Sequence, residues 1–335
     1  MKREIGNNNV KHNLMVGIIL LIALFVFSQP AQAIDNNIGK ANYRIYYAAN
    51  DGGPNWRILC ATLTGDNKEV QRKLVIDLGP VGTLDSAHAY SASVLKEERR
   101  GYVMYYGGSD GINWRILRAV SFDSLSWTKQ GLCFNLGMTG SFDSVHTVYP
   151  YVIKEDNIYK MWYTAYDGKS HWRIGYADSA DGIIFRNRRM VLEVGSTGEL
   201  DAAHVHTPVV IKQGGLYTMF YAGFGGFPSA WRILRATSTD GLNWTKQGLV
   251  LDLGQAGEAD SANLLPGSVI YQDGIFKMWY WAQGSNWRIL YATSKNGIDW
   301  QKQGVVLDLG PVRSLDFKGL VVPAVVEETN QENSR

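Results

Sequence analysis

The tripeptide Trp-Arg-Ile occurs five times, at Trp56, Trp114, Trp172, Trp231 and Trp287. Successive copies lie 58, 58, 59 and 56 residues apart. An aspartate keeps the same steps, at Asp85, Asp143, Asp201, Asp260 and Asp316. Two markers sharing one irregular period identify a structural unit of about 58 residues, repeated five times. One such unit cannot bury its own faces. It must stack against neighbours of the same kind.

Each unit reads as four β-runs. In the third, His146 to Lys154 alternates and is rich in Val, Ile and Tyr, and Tyr159 to Tyr163 is short and aromatic. Trp172 to Ala177 and Met190 to Val194 follow. β-branched and aromatic residues suit a pleated, half-buried surface. A turn, Ser238-Thr239-Asp240-Gly241-Leu242-Asn243-Trp244, separates the third and fourth runs, with variants from Ser121, Ser179 and Ser294. No long run has helical period. These features predict an all-β, five-bladed β-propeller with four antiparallel strands per blade. The first unit begins at Tyr43 with the second strand type. Its missing first strand recurs from Asp316 to about Val326, so the first blade is closed by the C-terminal strand. The expected domain is 34–328, with a polar tail over 329–335.

Residues 1–33 carry a basic start (Lys2, Arg3, Lys11), an apolar stretch from Leu14 to Phe27 and the small residues Ala31 and Ala33 around Gln32. This pattern predicts a secretory signal peptide cleaved after Ala33, with an uncleaved anchor as the alternative. The mature protein is then secreted or periplasmic, with no membrane segment after cleavage. Net charge is +2 and charged residues make up 19%, which gives no nucleic-acid face. Cys60 and Cys133 fall at different points of the unit and read as two buried, unpaired thiols. A closed propeller has no free edge to pair, so a monomer is expected.

Antiparallel alternation puts the loop before each first strand and the loop before each third strand on one face, the top. That face collects the five aspartates near the axis and, further out, Arg57, Arg115, Arg173, Arg232 and Arg288. Three residues after each aspartate stand His88, His146, His204, Asn263 and Gly319. His206 adds a fourth imidazole. Each group has a structural alternative. The arginines and aspartates can pair blade to blade. The five tryptophans can be packing wedges instead of sugar platforms. The histidines can fill a channel by hydrogen bonding instead of holding a ligand. No cofactor is expected, though three histidines from three blades admit an axial transition metal, and a calcium ion is an equal alternative.

The motifs Tyr159-Lys160-Met161-Trp162-Tyr163, Ile174-Gly175-Tyr176-Ala177 and Ser179-Ala180-Asp181-Gly182 resemble the five-bladed glycoside hydrolase-like superfamily of arabinanases, levansucrases, invertases and mannoside phosphorylases. The resemblance covers the whole mature chain. It implies a central pocket of acidic residues at the axis end of the innermost strands, acting as base or nucleophile, helper Asp and Glu acid. Asp85, Asp143 and Asp201 match that ring. The chain departs from the pattern in having Asp in every blade and no Glu there. Glu199 and Glu258 stand two residues before their aspartates. The invertase-type motifs Asn-Asp-Pro-Asn-Gly and Arg-Asp-Pro are absent.

Two functions follow. In the first, an exported glycoside hydrolase-like protein cleaves an oligosaccharide or polysaccharide, with Glu199 as acid, Asp85 or Asp143 as base, and Arg173 and His146 on sugar hydroxyls. In the second, the propeller is a multivalent, lectin-like glycan binder that uses the repeated Trp, Arg, Asp and His or Asn. Near-identical units favour binding, since acid and base must differ. The fading of His to Asn263 and Gly319 favours catalysis.

Overall fold

The computed structural model describes residues 42–63, 70–97, 101–226 and 229–328. The expected signal peptide (1–33) and polar tail (329–335) lie outside the described residues.

All regular structure among the described residues is β. The strands pair antiparallel in five sets of four, following the repeat. The first set holds β1 (Asn42–Asn50), β2 (Arg57–Leu63) and β3 (Val70–Ile76). The second holds β4 (His88–Glu97), β5 (Gly101–Ser109), β6 (Trp114–Ser121) and β7 (Thr128–Phe134). The third holds β8 (His146–Glu155), β9 (Ile158–Tyr166), β10 (Trp172–Ser179) and β11 (Arg186–Leu192). The fourth holds β12 (His204–Gln213), β13 (Leu216–Phe224), β14 (Trp231–Ser238) and β15 (Thr245–Leu251). The fifth holds β16 (Asn263–Gln272), β17 (Ile275–Gln283), β18 (Trp287–Ser294) and β19 (Gln301–Leu307). The last strand, β20 (Gly319–Glu328), pairs antiparallel with β1, Ala49 opposite Leu320, and so completes the first set from the far end of the chain.

Alternation along each second strand explains the packing. Tyr105 and Tyr106 are neighbours in β5, yet Tyr105 packs with Met161 and Tyr159 of the third set while Tyr106 packs with Tyr46 and Ile58 of the first. Every set is thus apolar on both faces, and each pair of successive sets shares one core. Trp162 and Tyr221 lie in the core between third and fourth sets, Phe220 and Met278 in that between fourth and fifth. Tyr47 and Trp279 lie in the core between fifth and first sets. The first strand of each set contacts its neighbours in sequence: β4 with β8, β8 with β12, β12 with β16, β16 with β20 and β20 with β4. Cys60 and Cys133 are free and buried, as the sequence predicts.

Each of these inner strands is broken at one point. Ladder register shifts after Tyr90, Val148, His206 and Pro266, and in β20 between Val321 and Ala324. Ser91, Tyr149, Thr207 and Val322 take positive φ there, between 47° and 53°. Such bulges re-aim side chains. Hydroxyls from adjacent sets hold them: the Tyr149 N–H donates to Ser91 Oγ, and the Thr207 N–H to Thr164 Oγ1.

Candidate functional site: an aromatic cavity beside locked carboxylates

The repeated aspartate closes a nine-residue loop, Asp-Leu-Gly-x-x-Gly-x-x-Asp in Asp77 to Asp85 and Asp252 to Asp260, with Asn135, Glu193 and Val194, and Arg313 as the departures in the other copies. The glycine at the third position donates its N–H to the carbonyl of the last aspartate, as Gly79 does to Asp85 at 3.1 Å. A Cβ on Gly79 would stand 2.2 Å from an Asp85 carboxylate oxygen, so only glycine admits this closure. The loop therefore folds the aspartate back beneath itself.

All five aspartates are buried, Asp143 and Asp316 completely. Each accepts a hydrogen bond from a tyrosine hydroxyl of its own set: Tyr106 to Asp85, Tyr163 to Asp143, Tyr221 to Asp201, Tyr280 to Asp260 and Tyr47 to Asp316. Each also meets a cation from the outermost strand. Lys129 reaches Asp85 at 2.6 Å, Arg188 reaches Asp143 at 2.6 Å, and Lys246 reaches Asp201 at 2.7 Å. Lys302 reaches Asp260 at 2.8 Å and Arg72 reaches Asp316 at 2.5 Å. Lys129 also donates to the Asp77 carbonyl and Arg188 to the Asn135 carbonyl, where the preceding set ends. Each carboxylate thus staples the loop that enters a set to that set's second and fourth strands, and Lys129 and Arg188 carry the tie on to the preceding set.

The anticipated pairing of the five Trp-Arg-Ile arginines with these aspartates is therefore corrected. Arg57, Arg173, Arg232 and Arg288 each bind the acid 20 residues on: Asp77 (2.8 Å), Glu193 (2.8 Å), Asp252 (2.7 Å) and Asp308 (2.6 Å). In the second set that position is Asn135, and Arg115 pairs with Asp110 at 3.0 Å. Glu199 is exposed, and its carboxylate accepts the Ser196 N–H at 2.8 Å; Glu258 does the same for Gln255. Thr83, Ser141 and Ser314 hold the equivalent loop position and donate to their own aspartates. Glu199 thus braces its own loop.

The histidines join the sets. The Trp56 N–H donates to His88 Nδ1 at 3.4 Å, Trp114 to His146 and Trp172 to His204 at 3.3 Å, and Trp231 to Asn263 Oδ1 at 3.0 Å. Asn263 substitutes for imidazole because its side-chain oxygen offers the same acceptor. Accepting at Nδ1 fixes the proton on Nε2. Each ring then stacks on the tryptophan of its own set: His88 on Trp114 at 5.1 Å, His146 on Trp172 at 5.6 Å and His204 on Trp231 at 6.0 Å. Burial lowers all three pKa values below the ordinary imidazole range. Among the described residues no three His, Cys, Asp or Glu side chains form a cluster able to hold a metal ion.

These contacts leave a cavity of about 250 Å³ against the inner strands. Trp56, just before β2, and Trp114 and Trp172, which open β6 and β10, line it on one side. Tyr90, Val148, Tyr149 and His206 line it from the bulged inner strands, with His88 beside them. No acidic residue is among the lining groups. His206 is buried between Tyr149, Trp172 and Trp231, and burial pushes its pKa down to about 3. None of the lining residues comes from the fifth set, for a visible reason. The position held by Ala48, Gly107, Thr164 and Ala222 becomes Trp281 in β17, which is buried with Leu265, Val321 and Val322. A second cavity of about 530 Å³ lies at the seam of β3 with the closing loop. Its charged lining groups, Arg72 and Asp316, are already paired with each other.

No family model matches the sequence. An uncharacterised protein of Mycobacterium tuberculosis is 29% identical over 278 residues, covering 78% of this chain and 92% of the relative. The 1,2-beta-oligomannan phosphorylase of a Thermoanaerobacter species is 34% identical over 108 residues, 30% of this chain and 36% of that protein. Among solved structures, the complex of BT0996 with RGII has a TM-score of 0.62 at 17% identity, covering 76% of this chain and 84% of the BT0996 structure. The β-1,2-mannobiose phosphorylase from Listeria innocua, in complex with β-1,2-mannobiose, has a TM-score of 0.58 at 14% identity, covering 74% and 67%. The chain thus resembles the propeller glycoside hydrolases and phosphorylases in fold.

Proposed function

We propose that this chain is a closed five-bladed propeller, exported by its first 33 residues, that binds a glycan at the aromatic cavity without cleaving it. Five antiparallel sets, five shared cores and the β20–β1 pairing support the blade count and the closure. The fold neighbours and the phosphorylase relative carry carbohydrate names, which supports the ligand class. One observation carries the non-catalytic reading. The carboxylates that would form the catalytic ring are closed in ion pairs with Lys129, Arg188, Lys246, Lys302 and Arg72, while the cavity offers aromatic faces, phenols and neutral imidazoles. Glycoside cleavage needs an acid and a second carboxylate flanking one bond. Aromatic walls with a few polar groups are what sugar binding needs.

A binding titration tests the reading. Trp114→Ala is expected to weaken glycan binding by at least about tenfold, the effect of losing one stacking platform. Asp143→Asn is expected to leave the dissociation constant of the remaining folded protein unchanged. The reverse pattern would move the site to the aspartate loops.

A further inference from the structure

The walls of the cavity meet mostly edge to face. Trp56 and Tyr90 lie 5.3 Å apart at 79°, Tyr90 and Tyr149 5.6 Å apart at 79°, and Trp172 and His206 5.3 Å apart at 81°. Rings so arranged stand around a space instead of closing into a stack. The polar atoms of these walls are largely engaged with one another. The Tyr149 hydroxyl donates to the Tyr90 oxygen at 3.4 Å, His206 Nδ1 lies 2.7 Å from Thr207 Oγ1, and His88 Nδ1 holds the Trp56 amide. The formal cations nearest in sequence, Arg57, Arg115 and Arg173, are paired with Asp77, Asp110 and Glu193. A ligand that needs many hydrogen bonds finds few here. A ligand that presents a positive charge wrapped in C–H groups finds π-faces on several sides and no cation to repel it.

We propose that the cavity is an aromatic cage for an organic ammonium group. The group that fits best is a quaternary ammonium head, whose charge is wrapped in C–H groups; the amine of an amino sugar carries the same charge with bare N–H donors and fits less completely, and neither contact depends on the ligand being a glycan. The half-buried edges of Trp114 and Trp172 would carry whatever is attached to it.

Calorimetry on the full chain with four probes tests this: choline, its neutral isostere 3,3-dimethyl-1-butanol, glucosamine and glucose. Choline is expected to bind at least about tenfold tighter than the isostere, because a desolvated cation–π contact is worth that much. The preference is expected to survive Tyr90→Phe, which keeps the ring and removes the hydroxyl, and to fall about tenfold in Trp114→Ala. Choline and glucosamine both outbinding their neutral counterparts supports the cage on a glycan-bound amine. Choline doing so while neither sugar binds supports the cage with a free head group and counts against the glycan reading. Equal binding of choline and its isostere, with glucose equal to glucosamine, overturns the cage and leaves the glycan reading standing. Silence from all four overturns the cage.

Discussion

Asp143 stands in the ring that the sequence marks as catalytic, and its carboxylate sits in a closed network. It is wholly buried, yet the Tyr163 hydroxyl, Arg188 and Ser141 fill its acceptor sites. Burial of the Tyr163 phenol, with the Asp143 charge beside it, pushes the Tyr163 pKa well above the ordinary phenol range. Asp143→Ala leaves Arg188 without its carboxylate and is predicted to cost about 3 kcal/mol in urea unfolding, as expected for breaking a largely buried pair. A loss below about 1 kcal/mol would mean that the pair is not holding the sets together. The fifth loop offers a second test. Gly82, Gly140, Gly198 and Gly257 have φ near 90°, and the matching residue in the last loop is Arg313, exposed at φ 76°. A left-handed conformation costs a non-glycine residue about 1 kcal/mol. Arg313→Gly is therefore predicted to raise stability by about that amount, and an unchanged or lower unfolding midpoint would contradict it. The aspartates were legible from their period. Their partners share it, at Tyr47, Tyr106, Tyr163, Tyr221 and Tyr280 and at Arg72, Lys129, Arg188, Lys246 and Lys302. The tyrosines hide inside aromatic runs and the cations inside polar outer strands, so neither stands out without the fold.

At the scale of strands, the sequence marks where each begins better than where each bends. Trp172 opens β10 and His146 opens β8, as the repeat predicts, and the Ser-x-Asp-Gly turn is structural: Trp244 Nε1 donates to the Gly241 carbonyl and Asp240 accepts the Leu242 amide. The bulges at Ser91, Tyr149 and Thr207 have no such signal, because none of these residues is the glycine or asparagine that usually marks a left-handed position. They decide the site, since they aim Tyr90, Tyr149 and His206 into one cavity. His206 has a measurable consequence. Its imidazole protonates near pH 6.5 in the unfolded chain and near 3 in the folded one, where Tyr149, Trp172, Trp231 and Thr207 surround it and His204 adds a smaller effect. Between these values the unfolded chain holds more protons, so stability is full above about pH 6.5 and falls as pH drops toward 3, with a slope of about 1.4 kcal/mol per pH unit for this one group. His206→Phe is predicted to flatten the profile in that window; an unchanged slope would show that the imidazole is not buried neutral.

For the whole molecule, the pairing of β20 with β1 joins the two ends of the repeat array. Asp316 near the C-terminus is held by Tyr47 and Arg72 near the N-terminus, and Leu320 and Tyr47 share a core with Trp279. Deleting residues 319–335 removes β20 and exposes both β1 and the faces of β4 and β16. It is predicted to abolish the dispersed amide spectrum of the whole protein, and a folded remainder would contradict closure. One departure from the repeat shapes the cavity. Trp281 fills the fifth set's share and leaves the cavity to Trp56, Tyr90, Trp114, Tyr149, Trp172 and His206. The near-identity of the five units, which argues for binding in the sequence, has its physical basis in five equivalent staples. The most direct test of the central claim is ligand-detected NMR of the protein with plant and microbial oligosaccharides, followed over a day. Saturation transfer to a bound glycan is expected with no new anomeric signals, and it is expected to be lost in Trp114→Ala. New anomeric signals that depend on the protein would contradict the central claim and restore a hydrolytic site.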